Sequence, residues 1–344
     1  MYKTYNHGSQ TSVRLQSYGS WSTQKYHPLV LLEDKELHKT WFFEHEGGFG
    51  WEIDISARGY RDASTLCVFL SGAHEKNDGW FRTLAPGETF VSSTAIGGCV
   101  DGGFEEAIGM LTSLKRAEML RVLPNGVPPL CFNDYMNCLF GDPTTEKELP
   151  LIDAAAAMGC EYYVIDAGWY APGEWWDSVG EWQQCHERFP NGIEEVTNYI
   201  REKGMVPGVW LELEVMGINC EKAKSVPDDW FFIRHGKRVY DRSRYQLDFR
   251  NPAVIDHVNE VIDRVVNQYG VGYIKMDYNI EPGIGTELYA DSVGQGMLEH
   301  ERAYLKWLDG VFEKYPDLVI ENCSSGGLRT DYAMLARYSI QSTS

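Results

Sequence analysis

The chain has 344 residues, 43% of them hydrophobic and 24% charged, with a formal net charge of −19 at pH 7. That length holds one large domain, or a large one and a smaller one. The acidic balance counts against nucleic acid or an anionic membrane surface as a partner, because both need a basic face. No run of eighteen apolar residues offers a membrane span, and the first residues, Met1 to Gly8, lack the apolar stretch of a signal peptide. The eight cysteines are scattered, with no CxxC pair and no metal-like Cys/His spacing. They read as buried thiols in a reducing compartment, so a cytoplasmic location is expected. Tryptophan and tyrosine are abundant, a composition that suits a cleft for carbohydrate, whose C–H faces stack on rings.

In chain order, residues 1–118 show short alternating apolar runs at Leu29–Glu33, Thr40–Glu44, Trp51–Ile55 and Thr65–Leu70. Gly47-Gly48, Asn77-Asp78-Gly79 and Pro86-Gly87 punctuate them, which predicts antiparallel strands forming part of a β-sandwich. A linking helix is predicted from Phe104 to about Leu120. The Pro/Gly-rich segment within residues 119–129 marks a domain boundary.

From residue 130 to 344 the pattern becomes strand, helix, strand. Strands are predicted at Leu130–Asn133, Tyr162–Asp166, Val206–Glu212, Tyr245–Asp248, Tyr273–Asp277 and Leu318–Glu321. Helices are predicted from Thr144/Thr145 to Gly159, from Asn191 to Gly204, and from an Asn251 N-cap with Pro252 in the first turn to Gly270. The last carries an apolar stripe through Val254, Val258, Ile262 and Val265. Such βα units form a (β/α)8 barrel or a doubly wound sheet. No GxGxxG follows the first strand, and polar residues end most strands, so the barrel, with its site at that rim, is the expected fold. A seventh strand is under way at residues 339–344 and no eighth follows. The expectation is therefore an incomplete barrel from a longer protein, whose open edge would favour association into homo-oligomers.

The rim carries the chemistry. In Tyr273-Ile-Lys-Met-Asp-Tyr-Asn279, alternation puts Tyr273, Lys275 and Asp277 on one face. An ammonium two positions from a carboxylate favours its ionised form, as a carboxylate nucleophile requires; a structural ion pair is the plainer alternative. Other strand ends read Asp166-Ala-Gly-Trp169, Trp210-Leu-Glu-Leu-Glu214, Arg242-Ser-Arg244 with Asp248, and Glu321-Asn-Cys-Ser-Ser-Gly-Gly-Leu-Arg329. Inward carboxylates such as Glu212 and Asp248 also serve as structural partners of Arg or Lys.

On these motifs, in this order, residues 128–344 resemble the glycoside hydrolase family 36 α-galactosidases. The preceding β region resembles the later part of that family's N-terminal β-sandwich. The resemblance implies a retaining double displacement between two carboxylates about 5–5.5 Å apart, through an oxocarbenium-like transition state. It implies Asp277 as nucleophile and a galactose pocket formed by Asp166, Trp169, Trp210, Arg244, Lys275, Cys323 and Gly326, with no metal and no cofactor. Lys275 and Asp166 would bond ring hydroxyls.

Three departures from the family pattern stand out. Ala167 replaces a second aspartate. The tryptophan of the first strand is missing, with Asp134 near its place. The family's acid/base aspartate is expected just beyond Ser344, leaving Asp331 as an in-chain substitute whose alternative roles are capping the next helix or pairing with Arg329. The functions that follow are hydrolysis of terminal α-galactosides, the related cleavage of α-N-acetylgalactosaminides or β-L-arabinopyranosides, transfer of galactose to an acceptor sugar, or sugar binding without catalysis. The nine histidines show no HxH pattern, which counts against a metal-dependent barrel hydrolase.

Overall fold

The computed structural model describes residues 11–60, 63–119, 123 and 126–342. Its first region contains β1 (Thr11–Ser17), β2 (Leu29–Asp34), β3 (Lys39–His45), β4 (Trp51–Tyr60) and β5 (Ala63–Ser71). After these come α1 (Glu75–Asp78), β6 (Ala95–Asp101) and α2 (Phe104–Glu118). The strands form two antiparallel sheets, ordered β1-β4-β5 and β2-β3-β6. Alternation sets which side chains go inward: Thr40, Phe42 and Glu44 of β3 are buried while Lys39, Trp41 and Phe43 are half-exposed. Phe42 lies opposite Gly98, where an added Cβ would meet its ring at 2.3 Å. Ala107 and Leu111 of α2 pack into the same small core as that ring. The linking helix thus stops at Glu118; Leu120 and much of residues 119–129 fall outside the described residues.

The second region begins with β7 (Cys131–Asn133), α3 (Thr145–Ala157), β8 (Tyr162–Ile165), α4 (Ile193–Glu202) and β9 (Val206–Leu211). An excursion follows, made of β10 (Val215–Gly217), α5 (Glu221–Ser225), β11 (Ile233–Arg234), β12 (Lys237–Arg238), β13 (Tyr240–Asp241) and β14 (Arg244–Gln246). The chain then runs through α6 (Pro252–Asp263), β15 (Tyr273–Met276), α7 (Val293–Lys314), β16 (Val319–Asn322), α8 (Tyr332–Leu335) and β17 (Ile340–Gln341).

Six of these strands, β17-β16-β15-β9-β8-β7, make one parallel sheet that curls into an incomplete barrel. One expectation needs correction. The segment expected as a fourth barrel strand, Tyr245–Asp248, lies outside this sheet, because β14 pairs antiparallel with β10 and β13. β15 pairs directly with β9, so the strand at Ile340–Gln341 is the sixth of the sheet rather than the seventh; residues 343–344 lie outside the described residues.

The helices start where their caps predict, with one exception. Thr144 accepts from Lys147 N at 3.4 Å and Asn251 from Ala253 N at 2.9 Å. Before α4, however, the cap position is Gly192, and Gln184 Oε1 takes up Ile193 N at 2.5 Å. Val254, Val258, Val261 and Ile262 of α6 pack with Leu308 and Val311 of α7 over the buried strand residues Ile165, Val209, Ile274 and Ile320. Each such side chain contributes about 1.5–3 kcal/mol on burial.

Residues 20–23 join the two regions. Trp51 Nε1 donates to Ser22 O at 2.8 Å, and Ser22 Oγ donates to Asp331 Oδ2 at 2.5 Å. Thr23 donates to Leu328 O through its backbone at 3.0 Å and to Gly327 O through its hydroxyl at 2.8 Å.

Candidate active site

A cavity of about 610 Å³ opens at the C-terminal ends of the parallel strands. Asp277, directly after β15, is 8% exposed and lines it. Four donors converge on its carboxylate. Trp210 Nε1 and Asn279 Nδ2 reach Oδ2 at 3.1 and 2.8 Å, and the backbone N–H groups of Tyr278 and Ser325 reach Oδ1 at 2.8 and 3.1 Å. Burial alone would raise its pKa. The Asn279 amide, the Lys275 charge, the Cys323 thiol and the Trp210 indole outweigh burial and hold the carboxyl below its ordinary value.

Lys275 acts on Asp277 through its charge; its hydrogen bond goes elsewhere. Its ammonium donates to Asp166 Oδ2 at 2.9 Å, where Asn133 Nδ2 also donates at 2.6 Å. Burial opposes the charge on Lys275, and the Asp166 carboxylate overcomes it, so the ammonium titrates above the usual lysine range. Glu321 lines the deeper wall and accepts from Tyr273 OH at 2.7 Å; burial pushes its carboxyl up. Burial and the neighbouring Asp277 charge likewise keep Cys323 a neutral thiol.

Of the residues expected in the pocket, Asp166, Trp210, Lys275, Cys323, Gly326 and Asp277 line the cavity. Trp169 and Arg244 do not. Trp169 is fully buried and donates from Nε1 to Trp210 O at 3.0 Å, so it supports the wall from behind. Arg244, also fully buried, pairs with Glu212, donates to Trp176 O at 2.9 Å and lies 3.7 Å beneath the Trp176 ring. Glu212 and Asp248 are thus partners of Arg244 and of Arg250.

Asp331 does not reach the cavity. It is 1% exposed, caps α8 through Met334 N at 3.2 Å and accepts from Ser22, which rules it out as the substitute proton donor. Arg329 pairs with Glu214 instead, at 2.6 Å.

The first-strand position is also corrected. Asp134 points away from the cavity and is buried, while Tyr135, one residue on, lines it and packs against Trp175. Ala167 is buried and contributes only a backbone N–H, which donates to Asp166 Oδ1 at 2.8 Å. The turn behind it requires Gly168, whose φ is +105° and whose added Cβ would meet Gly141 O at 2.2 Å.

The Melibiase family profile matches residues 89–344, which is most of the chain. The chain belongs to the melibiase family. Among curated relatives, α-galactosidase Mel36A of Lactobacillus acidophilus is 25% identical over 325 residues, covering 92% of this chain and 43% of the relative. α-Galactosidase AgaA of Geobacillus stearothermophilus is 26% identical over 307 residues, covering 85% of this chain and 40% of the relative. This melibiase-family chain therefore spans less than half the length of these curated relatives. Among solved structures, the galactosidase domain of AgaSK superposes with a TM-score of 0.80 at 23% identity, over 97% of this chain and 45% of that one. AgaA in complex with stachyose gives 0.78 at 22% identity, over 97% and 46%. At these identities the superpositions establish the fold.

Among the other residues that line the melibiase cavity, Asn133, Tyr135, Asn279 and Ser325 sit in strand-end stretches where the sequence assigned them no individual role, and Trp175 and Trp176 were missed altogether. The adjacent Trp175-Trp176 pair in a Gly/Pro-containing loop was a usable signal, since aromatics in such a loop lack a helix or strand face to bury. Asn279 extended the period-two pattern of Lys275 and Asp277 by one step.

Proposed function

We propose that this chain carries the sugar pocket and nucleophile of a retaining glycoside hydrolase acting on terminal α-linked galactose. The observation that carries this reading is the four-donor cage around Asp277 in a cavity large enough for a monosaccharide. The donors hold the carboxylate ionised, and the indole of Trp210 bridges the cavity wall to it. In the proposed reaction an Asp277 oxygen attacks the anomeric carbon as the glycosidic bond breaks, giving a glycosyl ester that water then cleaves. Lys275 and Asp166 form a donor–acceptor pair for ring hydroxyls, and leaving those groups unpaired with the wrong sugar is costly.

The relatives support the substrate class, since AgaA has been crystallised with stachyose and with raffinose. Ala167 offers no side-chain acceptor, so α-N-acetylgalactosaminides and β-L-arabinopyranosides belong in the substrate panel beside α-galactosides.

Among the described residues no helix is long and apolar enough to cross a membrane. The eight cysteines are free thiols, which supports a reducing, cytoplasmic setting as part of the same reading.

Two experiments test the proposal. A fluorinated galactosyl inhibitor should leave a sugar ester on Asp277, read by peptide mass spectrometry; label on another side chain would overturn the assignment. Turnover should favour 4-nitrophenyl α-galactoside over raffinose, because an activated leaving group needs little protonation.

A further inference from the structure

Behind the cavity lies a second pair of carboxyls that the proposed chemistry does not use. Asp134 sits in the turn after β7, and Glu148 in the first turns of α3; both are almost fully buried. Asp134 Oδ1 accepts from the backbone N–H of Asp166 at 2.7 Å. Glu148 Oε2 accepts from Tyr163 OH at 2.5 Å. Each carboxyl's other oxygen, Asp134 Oδ2 and Glu148 Oε1, is sealed from solvent and meets no N–H or O–H group of the described chain. The two carboxyls lie close enough for each to perturb the other's titration, and a hydrogen bond between two carboxyl oxygens requires a proton.

We propose that Asp134 and Glu148 share one proton and act as the positioning pair for Asp166, the carboxylate that faces the sugar. This inference rests on the reading of Asp166 as a sugar-binding group. The proton belongs on Asp134 Oδ2. Glu148 already has the Tyr163 hydroxyl and the N-terminal turns of α3 to stabilise its charge, whereas Asp134 has only the Asp166 amide. A protonated Asp134 donates to Glu148 Oε1 and keeps Oδ1 as a carbonyl-like acceptor for Asp166 N–H. That bond fixes the backbone from which the Asp166 side chain reaches Lys275 and Asn133.

Electrostatics agree with the geometry. Burial first, then Glu148 and Asp166, push Asp134 well above the ordinary range, and burial also raises Glu148. The charged and titratable groups that face the pair are few. Asp166 lies on the side of β8, Tyr163 and Lys147 lie around Glu148, and Cys138 lies in the turn after β7. Lys275 acts only through Asp166. Loss of the shared proton would leave Asp134 and Glu148 both charged and sealed from water, and their mutual repulsion would push apart the pair that fixes the Asp166 backbone.

The test compares the full chain with Asp134→Asn and Asp134→Leu. Asparagine keeps both contacts, accepting from Asp166 and donating to Glu148, but cannot ionise; leucine removes both. Wild-type protein should show a carboxylic-acid C=O infrared band at neutral pH that Asp134→Asn loses, and an unchanged band would overturn the proposal.

The Lys275 ammonium, followed by NMR of carbon-labelled lysine, should titrate lower in Asp134→Leu than in wild type, with Asp134→Asn restoring it. Identical titration in all three proteins would also overturn it. Affinity for 1-deoxygalactonojirimycin, an inhibitor crystallised with AgaA, should fall about tenfold in Asp134→Leu, the scale of one lost hydrogen bond to a charged system. Asp134→Asn should recover most of that loss. It should also lack the decline toward alkaline pH that wild type shows beyond the inhibitor's own titration.

If Asp134→Leu does not fold, the infrared band and the alkaline decline in Asp134→Asn decide. Absence of inhibitor binding by wild type, with the infrared and lysine signals as expected, would sink the sugar-site reading while upholding the pairing with Asp166.

Discussion

Asp277 and Asp134 each follow a strand of the same parallel sheet, and both are buried, yet their surroundings shift their proton affinities in opposite directions. Around Asp277 the neighbours are N–H donors and an ammonium; around Asp134 they are one amide and two further carboxyls. Burial penalises the charged form of both. What separates them is the count of donors, and the contrast shows why depth below the surface is a poor guide to charge in this molecule.

The largest effect should come from destroying the ionised member. Asp277→Asn is expected to lower kcat on 4-nitrophenyl α-galactoside by about 10³-fold or more, the scale of losing a nucleophile. An unchanged rate would remove Asp277 from the mechanism. Thinning its donor cage comes next. Asn279→Ala removes one hydrogen bond to a charged acceptor, so activity near neutral pH should drop by about tenfold. The acid limb of the kcat/KM profile should move to higher pH, because Asp277 then takes up its proton more readily.

The same contrast should appear in stability as two opposite slopes. Asp277, depressed in the folded state, contributes stability above its unfolded value of about 3.9 and loses it as pH falls through its folded value. Asp134, raised in the folded state, contributes most below about 3.9 and loses that contribution as pH rises through its folded value. Urea midpoints across pH should therefore flatten on the acid side in Asp277→Asn and on the rising side in Asp134→Asn. The size is about 1.4 kcal/mol for every tenfold difference in proton affinity between the folded and unfolded chain. Slopes of the same sign would refute the comparison. The smallest effect is reserved for Asp331, a buried carboxyl outside the cavity. Asp331→Ala should remove the helix cap and cost about 1 kcal/mol of stability, read as a lower melting temperature, while kcat and KM stay as they are.

Much of this was readable in the sequence, for reasons that can be named. Period-two alternation put Lys275 and Asp277 on one face, and Asn251-Pro252 marked a helix start because a cap and a missing N–H belong there. The sequence was silent on pairing partners. Tyr245 to Asp248 has the alternation of a strand, but nothing local says that β14 will return antiparallel to β10 while β15 closes on β9. It was equally silent on depth. Trp169 and Arg244 sit among pocket residues along the chain, yet a few ångströms put one behind Trp210 and the other beneath Trp176.

The 22-residue α7 escaped because Gly294, Gly296 and Gly310 interrupt it and because Gln295, His300 and Glu301 are polar residues on its buried side. Gly296 is small for a tertiary reason, since its added Cβ would meet Thr286 O at 2.3 Å.

Thr23 holds the loop of Gly327 and Leu328 by two hydrogen bonds from outside the barrel, and that same loop presents the Ser325 amide to Asp277. A segment of the β-rich region is thus a brace for the reaction centre. Wobble at residues 20–23 would be transmitted to the aspartate cage, so drift in the first third of the chain is constrained by what the last third must keep still.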